Sequence, residues 1–362
     1  MVGLLLLGGP LHAACPWPAW TQFKQDYLRE DGRVVDPSDP RKITTSEGQS
    51  YALFFALVAN DRAVFERILR WTENNLSAGS LRARLPGWLW GKRADGQWAL
   101  IDDNPASDAD VWIAWVLLEA GRLWDEPDFT RTGEALVRRI AQEEVAVLPG
   151  IGAMLLPGAR GFSEPARWRL NPSYLPPQVI RRFTAYGAPW DAIYQQLGQF
   201  LPSVSPLGFA PDWVIWDARK GWQPAEPVPD QGSYNAIRVY LWVGMMHEDD
   251  PLSARLRQHF APMARLTARR GIPPESLDTY KAEPTGNGPV GFSAALLPLL
   301  AHTDPQALAV QRARVEHNFP GADAYYSYVL TLFGQGWDQR RFRFTSGGEL
   351  TPDWGRICEN SQ

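Results

Sequence analysis

The stretch SDADVWIAWVLLEAGRLW (107–124), followed by DEP (125–127) and DFTRTGEALVRRIAQEEVA (128–146), sets the architecture of the whole chain. Its apolar residues recur at helical spacing on both sides of Asp125-Glu126-Pro127, with no sustained alternation of period two. The unit is therefore a helical hairpin: a helix over 107–124, a tight turn, and a second helix over 127–146.

Working outward, breaks at Pro, Gly, Asn and Asp clusters leave further helical segments at 17–29, 47–60, 61–75, 173–186, 189–203, 235–247, 252–270, 290–302, 304–318 and 323–336. Short turns such as Asn60-Asp61 and Gly187-Ala188-Pro189 alternate with long segments rich in Trp and Pro. Twelve helices joined in this way predict a ring of hairpins. The inner helices begin near 47, 107, 173, 235, 290 and 323, and the last pairs with the first outer helix near 17. Such a ring brings the chain ends together. The two cysteines, Cys15 and Cys358, lie at those ends and are expected to form one disulfide. A loop of that length would stabilise by roughly 5 kcal/mol in the chain-entropy model.

Composition narrows the function. The 362 residues carry 36 basic and 40 acidic side chains, so the chain lacks the positive stripe a nucleic acid partner needs. Residues 3–11 (GLLLLGGPL) are apolar but too short to span a bilayer, and they lead into His12-Ala13-Ala14, a small-residue site of the kind signal peptidase cuts. No Lys or Arg precedes them, and His12 departs from the residue a lipoprotein signal carries before its cysteine. The expected organisation is an export-signal remnant over 1–14 and a single domain over 15–362, periplasmic or secreted, monomeric, with no span in the mature chain. The 17 Trp exceed what a core of this size needs, and flat indoles suit stacking on sugar rings. Trp88 and Trp90, on a long loop, are the expected platforms; Trp71 and Trp124, inside helical patterns, are expected in the core.

Polar clusters open the inner helices: Thr44 to Gln49, Ala106 to Asp110, Asn171 to Tyr174, Gly232 to Asn235, and Gly321 to Tyr326. Ser, Thr, Asp and Asn there are ordinary caps, but capping does not call for Glu47, Tyr174, Tyr234 and Tyr325 as well. There is no HExxH or Cys/His cluster, no GxGxxG or GxxxxGK[ST], and no GxSxG, so no metal or other cofactor is expected. Carboxylates at helix starts among aromatics are the equipment of glycosidic-bond hydrolysis. Glu47 is the best acid candidate. The helix dipole favours its ionised form, so that role calls for burial or a neighbour such as Asp108 to raise its pKa. Asp108 and Asp110 lie about 200° apart around a helix, so only one can face a cleft, and local spacing leaves both open.

At this point the residues are similar to a known family. Ser107-Asp108-Ala109-Asp110 with Ile113, Ala114 and Ala120, and Thr45-Ser46-Glu47-Gly48, resemble the signatures of glycoside hydrolase family 8. The match continues through WLWGK (88–92), LNPSYLPP (170–177), IRVYLWVGMM (237–246), GPVGFSAA (288–295) and DAYYSYVLTLFGQGWD (323–338). Within the family it resembles the periplasmic endoglucanases of bacterial cellulose synthase operons. The resemblance implies an all-α (α/α)6 barrel of six inner and six outer helices, an inverting mechanism, β-1,4-glucan as substrate and a functional link to a cellulose synthase complex. It implies Glu47 as general acid, and Asp108 gripping the sugar at the cleavage point with Tyr174, Tyr234 and Arg238.

One position departs. The family's base is an Asp in a Tyr-Asp-Ala-x-Arg segment, and here the segment reads Tyr234-Asn235-Ala236-Ile237-Arg238. An amide has no lone pair basic enough to take a proton from water. The preferred reading is an Asp-to-Asn substitution that leaves substrate intact, since the flanking residues keep the pattern. A natural glucan-binding homologue that does not cut, or a base moved to Asp230, are the alternatives. A different toroid function, such as a cyclase or transferase, is disfavoured by the lack of an Asp cluster for metal.

Overall fold

The computed structural model describes residues 16–226 and 228–355. Among them run twelve α-helices: α1 Pro18–Tyr27, α2 Ser46–Val58, α3 Arg62–Leu76, α4 Ser107–Leu123, α5 Pro127–Glu143, α6 Pro177–Phe183, α7 Trp190–Ser203, α8 Ile237–Met245, α9 Ser253–Arg270, α10 Val290–Thr303, α11 Pro305–His317 and α12 Tyr325–Asp338. The even-numbered helices form the inner ring, each packed on the next from α2 to α12, and each pairs with an odd-numbered outer helix. The ring closes where Phe333 of α12 meets Phe54 and Phe55 of α2, at 5.0 and 4.7 Å between ring centroids. The protein is an (α/α)6 barrel.

The two rings differ in how their sequences are buried. In α2 every residue from Gly48 to Val58 is buried, whereas α5 buries only Thr132, Gly133, Leu136, Val137 and Ile140 along one stripe. A helix apolar all round belongs inside, and a striped one can face water. The barrel axis is filled by large rings rather than left hollow: Phe54, Trp112, Trp242 and Phe333 contact one another through centroid separations of 5.0 to 5.6 Å. Glycine permits the closest helix approaches. A Cβ on Gly334 of α12 would stand 1.8 Å from the Ala294 carbonyl of α10, and one on Gly244 of α8 would stand 2.4 Å from the Leu299 amide. No side chain fits at either position.

The predicted hairpin over 107–146 is present as α4 and α5, and the long-short alternation holds around the ring. Two details differ. The segment over 173–186 is helical only at Pro177–Phe183, flanked by 3-10 turns Pro172–Tyr174 and Thr184–Tyr186, because Pro176-Pro177 fixes an extended entry. The long connections also carry small antiparallel sheets. The first joins β1 Thr44–Thr45, β2 Leu89–Lys92 and β3 Trp98–Asp102 in that order. A four-stranded sheet is built from 163–224 and a three-stranded one from 231–285. Strands of two to five residues are too short to show period two in a sequence. The proposed partners Cys15 and Cys358 lie outside the described residues. Pro16 and Trp354 both line one surface cavity beside the end of α2. No described helix is long and apolar enough to cross a membrane.

Candidate active site

Inner-helix N-termini deliver four chain segments to one end of the barrel, and Arg238 ties them together. The Thr45 side chain caps α2 by accepting from the Gly48 amide at 3.0 Å, which fixes Glu47 in the first turn. Asp108 sits in the first turn of α4, where one carboxylate oxygen accepts from the Ala109 amide at 2.8 Å. Arg238 rises from α8 and is itself buried, at 3% exposure. Its Nη1 donates to Glu47, to Asp108 at 3.1 Å and to the Tyr51 hydroxyl at 3.1 Å, while Nη2 donates to Asn235 Oδ1 at 3.0 Å. The Tyr174 ring lies 5.5 Å from the guanidinium.

The electrostatics of the cluster follow from that geometry. Burial first, then the Glu47 charge, push the Asp108 pKa up to about 7, against the opposing pull of Arg238. Burial alone would lower the Arg238 pKa, but Glu47 and Tyr51 hold it well above its ordinary value, so the cation stays charged. The neighbour expected beside Glu47 is present, since Asp108 shares the Nη1 of Arg238 with it. A hydrogen bond with Glu47 adds to the rise at Asp108 by favouring its protonated form. The Glu47 side chain is 26% exposed and that of Asp108 only 4%. Of the two, Glu47 is the one that opens to the cleft.

Asn235 stands just before α8. Its Oδ1 accepts from both Arg238 and the Asn171 side chain, each at 3.0 Å. Because both neighbours can only donate there, the oxygen is turned toward them and the amide NH2 is left on the other side. The atom left over is a donor, not a base. Beneath it, Asp212 accepts three backbone N–H bonds on one oxygen, from Ser233, Asn235 and Ala236 at 2.9, 3.0 and 2.7 Å. Burial raises its pKa in spite of those bonds. Asp230 lies elsewhere: its backbone carbonyl takes the Thr279 amide and its charged neighbours are Asp278 and Lys281.

Other predicted residues are distributed around the cluster. The Tyr325 hydroxyl lies so close to Gly48 that a Cβ there would come within 2.6 Å of it. Tyr234 is apart from Arg238: its ring packs on Phe292 and Tyr326, and its hydroxyl donates to Glu275 at 3.0 Å. Trp88 is half-buried, and its carbonyl accepts from the Ser46 amide at 3.0 Å, next to Glu47. Trp90 is half-buried with Trp98 stacked on it. Trp71 is buried, as expected, whereas Trp124 is half-buried and stacks on Trp354. Sequence reasoning missed Tyr51, Asp212 and Trp98. Tyr51 follows Glu47 by four residues on one helix, a spacing that places them on one face, so that one was within reach. No group of three or more His, Cys, Asp or Glu among the described residues could hold a metal ion.

On the opposite face of α4, Asp110 meets Glu144 at the end of α5. Both are fully buried, and among the described residues no N–H or O–H donor apart from a carboxyl proton of the pair itself reaches their four carboxylate oxygens. Burial, then the partner's charge, hold Asp110 well above the usual carboxylate range, and burial does the same for Glu144.

Comparison with known proteins bears on this arrangement. The family model for glycosyl hydrolases family 8 matches residues 5–340. An endoglucanase of Escherichia coli strain K12 is 58% identical over 358 residues, covering 99% of this chain and 97% of that protein. One from Xanthomonas axonopodis pv. citri is 48% identical over 94% of this chain and 90% of its own length. The crystal structure of an endo-1,4-D-glucanase from Vibrio fischeri ES114 superposes with a TM-score of 0.91 at 44% identity, covering 94% of this chain and all of that one.

Proposed function

The chain belongs to glycosyl hydrolase family 8, and from that premise we propose that it is an endo-1,4-β-glucanase, of inverting mechanism, whose general base has been replaced by Asn235. Glu47 delivers the proton shared with Asp108 to the glycosidic oxygen of the leaving sugar. Asp108 and Tyr174 grip the sugar at the cleavage point, with Arg238 fixing both acids. Trp88, Tyr234 and Tyr325 flank the bound chain.

The observation that carries the reading is the bridge made by Arg238 between Glu47, Asp108 and position 235. A group at 235 with a carboxylate would offer its second oxygen to water where Asn235 offers an NH2. On this reading the chain binds β-1,4-glucan and cuts it very slowly. Asn235→Asp should raise reducing-end release from carboxymethylcellulose about 10²- to 10⁴-fold. Equal rates for the two forms would sink the missing-base reading and make Asp212 the next carboxylate to replace. Binding without cleavage in both forms would select the second reading, a glucan-binding homologue, which Asn235 itself favours.

The wider role follows the same resemblance: glucan trimming during bacterial cellulose production and export, outside the cytoplasm, by one domain over 15–362 acting as a monomer. The apolar run 3–11 and the site at 12–14 support export of the chain. Fractionation of cells expressing the full chain tests it. Retention in the cytoplasm with residues 1–14 uncleaved would overturn that part.

A further inference from the structure

The hairpin β2–β3 carries an aromatic stack that the site at Glu47 does not use. Lys92 pairs with Trp98, and Trp90 lies two residues before Lys92, so period two puts both indoles on one face of the hairpin. Their centroids are 5.4 Å apart with the planes inclined by 23°. Trp71 of α3 meets Trp90 edge-on at 5.3 Å. The Arg33 guanidinium lies 4.3 Å from the Trp90 ring and 4.8 Å from that of Trp98. Arg33 is itself fixed, donating to the Thr44 hydroxyl at 2.9 Å and to the Lys42 carbonyl. Yet Trp98 remains 48% exposed.

Such an exposed indole is costly in water and is not a mobile one. It is held by a stacked ring and a cation, so ligand binding would lose little side-chain entropy. Its neighbours Lys92, Arg93, Asp95 and Gln97 are all exposed and polar, so no broad apolar patch surrounds it. A protein partner needs such a patch, whereas a sugar ring needs one flat face and a polar rim. The stack is also tied to the catalytic end. Thr44 pairs with Trp90, and β1 leads directly into α2, which carries Glu47 in its first turn.

We propose that Trp98, backed by Trp90 and Arg33, is a second contact for a β-1,4-glucan chain, outside the Glu47 cluster, where the indole takes the apolar face of a glucosyl ring. The inference rests on the glucanase reading and adds to it a grip on long chains that short oligosaccharides do not reach. Trp98 is a binding residue here, and Trp90 and Arg33 position it.

Because the chain carries Asn235, binding can be measured on it directly. Isothermal titration with cellotriose and cellohexaose, on the chain as it stands and on Trp98→Ala and Trp98→Phe, gives the test. Trp98→Ala should weaken cellohexaose binding about tenfold, leave cellotriose binding and the thermal unfolding midpoint unchanged, and Trp98→Phe should recover part of the loss. Equal cellohexaose affinity in Trp98→Ala overturns the platform while the glucanase reading stands. Equal losses for both sugars with a lowered midpoint assign Trp98 to stability and also overturn it. If the unsubstituted chain binds neither sugar, the glucanase reading fails first. Sugar-free self-association that Trp98→Ala abolishes would assign the stack to a protein contact instead.

Discussion

Two pairs of carboxyl groups sit on opposite faces of the first turn of α4, and they have opposite fates. Asp108 and Glu47 share Arg238, and one of them reaches the cleft. Asp110 and Glu144 are equally acidic by sequence, yet no cation among the described residues reaches them, and both are fully buried. Both pairs pay desolvation. Only the first has a buried positive charge to offset it, so it can hold a negative charge and pass a proton, while the second is stable only if it keeps one. A buried acid becomes available for chemistry when a fixed cation and an opening to solvent accompany it.

Removing the cation should collapse the difference, with the largest effect. In the Asn235→Asp background, Arg238→Met should abolish measurable hydrolysis and lower stability by about 3–5 kcal/mol, because two carboxyls are left without a partner. Denaturant melts together with reducing-sugar assays check both. Full activity in the folded variant would show that Arg238 does not set the acids. Glu47→Gln in the same background should cost about 10²- to 10⁴-fold in kcat with a small change in KM, since an amide at 47 cannot give up the proton. Asp108→Asn should leave that proton with no buried store and narrow the range of pH over which kcat stays high; an unchanged pH profile would remove Asp108 from the proton pair.

The sealed pair predicts a smaller effect of definite sign. Asp110 and Glu144 have folded-state pKa values above those of the unfolded chain, so the folded state binds more protons once pH passes the unfolded carboxylate range near 4. Their stabilising share is complete below that pH and is lost as pH rises through the raised values. Asp108, with a pKa of about 7, adds a decline of the same sign between about 4 and 7. Glu144→Gln supplies an amide that donates to Asp110 and should flatten the fall of the melting temperature on the alkaline side, with kcat nearly unchanged. Infrared spectra should lose a carboxylic-acid carbonyl band at neutral pH in the same variant. An unaltered slope would mean the pair is charged, or neutralised from elsewhere.

The comparison also marks where the sequence stopped being legible. Helices were readable because apolar spacing is local and repeated, and Pro, Gly and Asp punctuate it. The 173–186 segment misled because its apolar spacing continues through Pro176-Pro177, where the backbone cannot. The small sheets were hidden because Thr44–Thr45 has no period to read, only a partner strand at Leu89–Trp90. In the site, Glu47, Asp108, Tyr174 and Arg238 came from helix starts and motif resemblance. Asp212 did not, because its importance lies in three backbone amides at 233–236 that only the folded loop presents to it. Tyr234 was read into the same subsite as Arg238, but its ring turns to Phe292 and Tyr326, a choice made by the α10 and α12 surfaces.

By itself the sequence determined the ring of helical hairpins and the amide at position 235, since both are written in local order: a period, a turn, one residue in a motif. Which of Asp108 and Asp110 joins Glu47 was decided by tertiary structure. The two differ by about 200° on one helix, and what separates them is Arg238, 130 residues further along the chain, reaching Asp108 and not Asp110. A charge's solvation depends on what surrounds it in space, and that neighbour is chosen by packing.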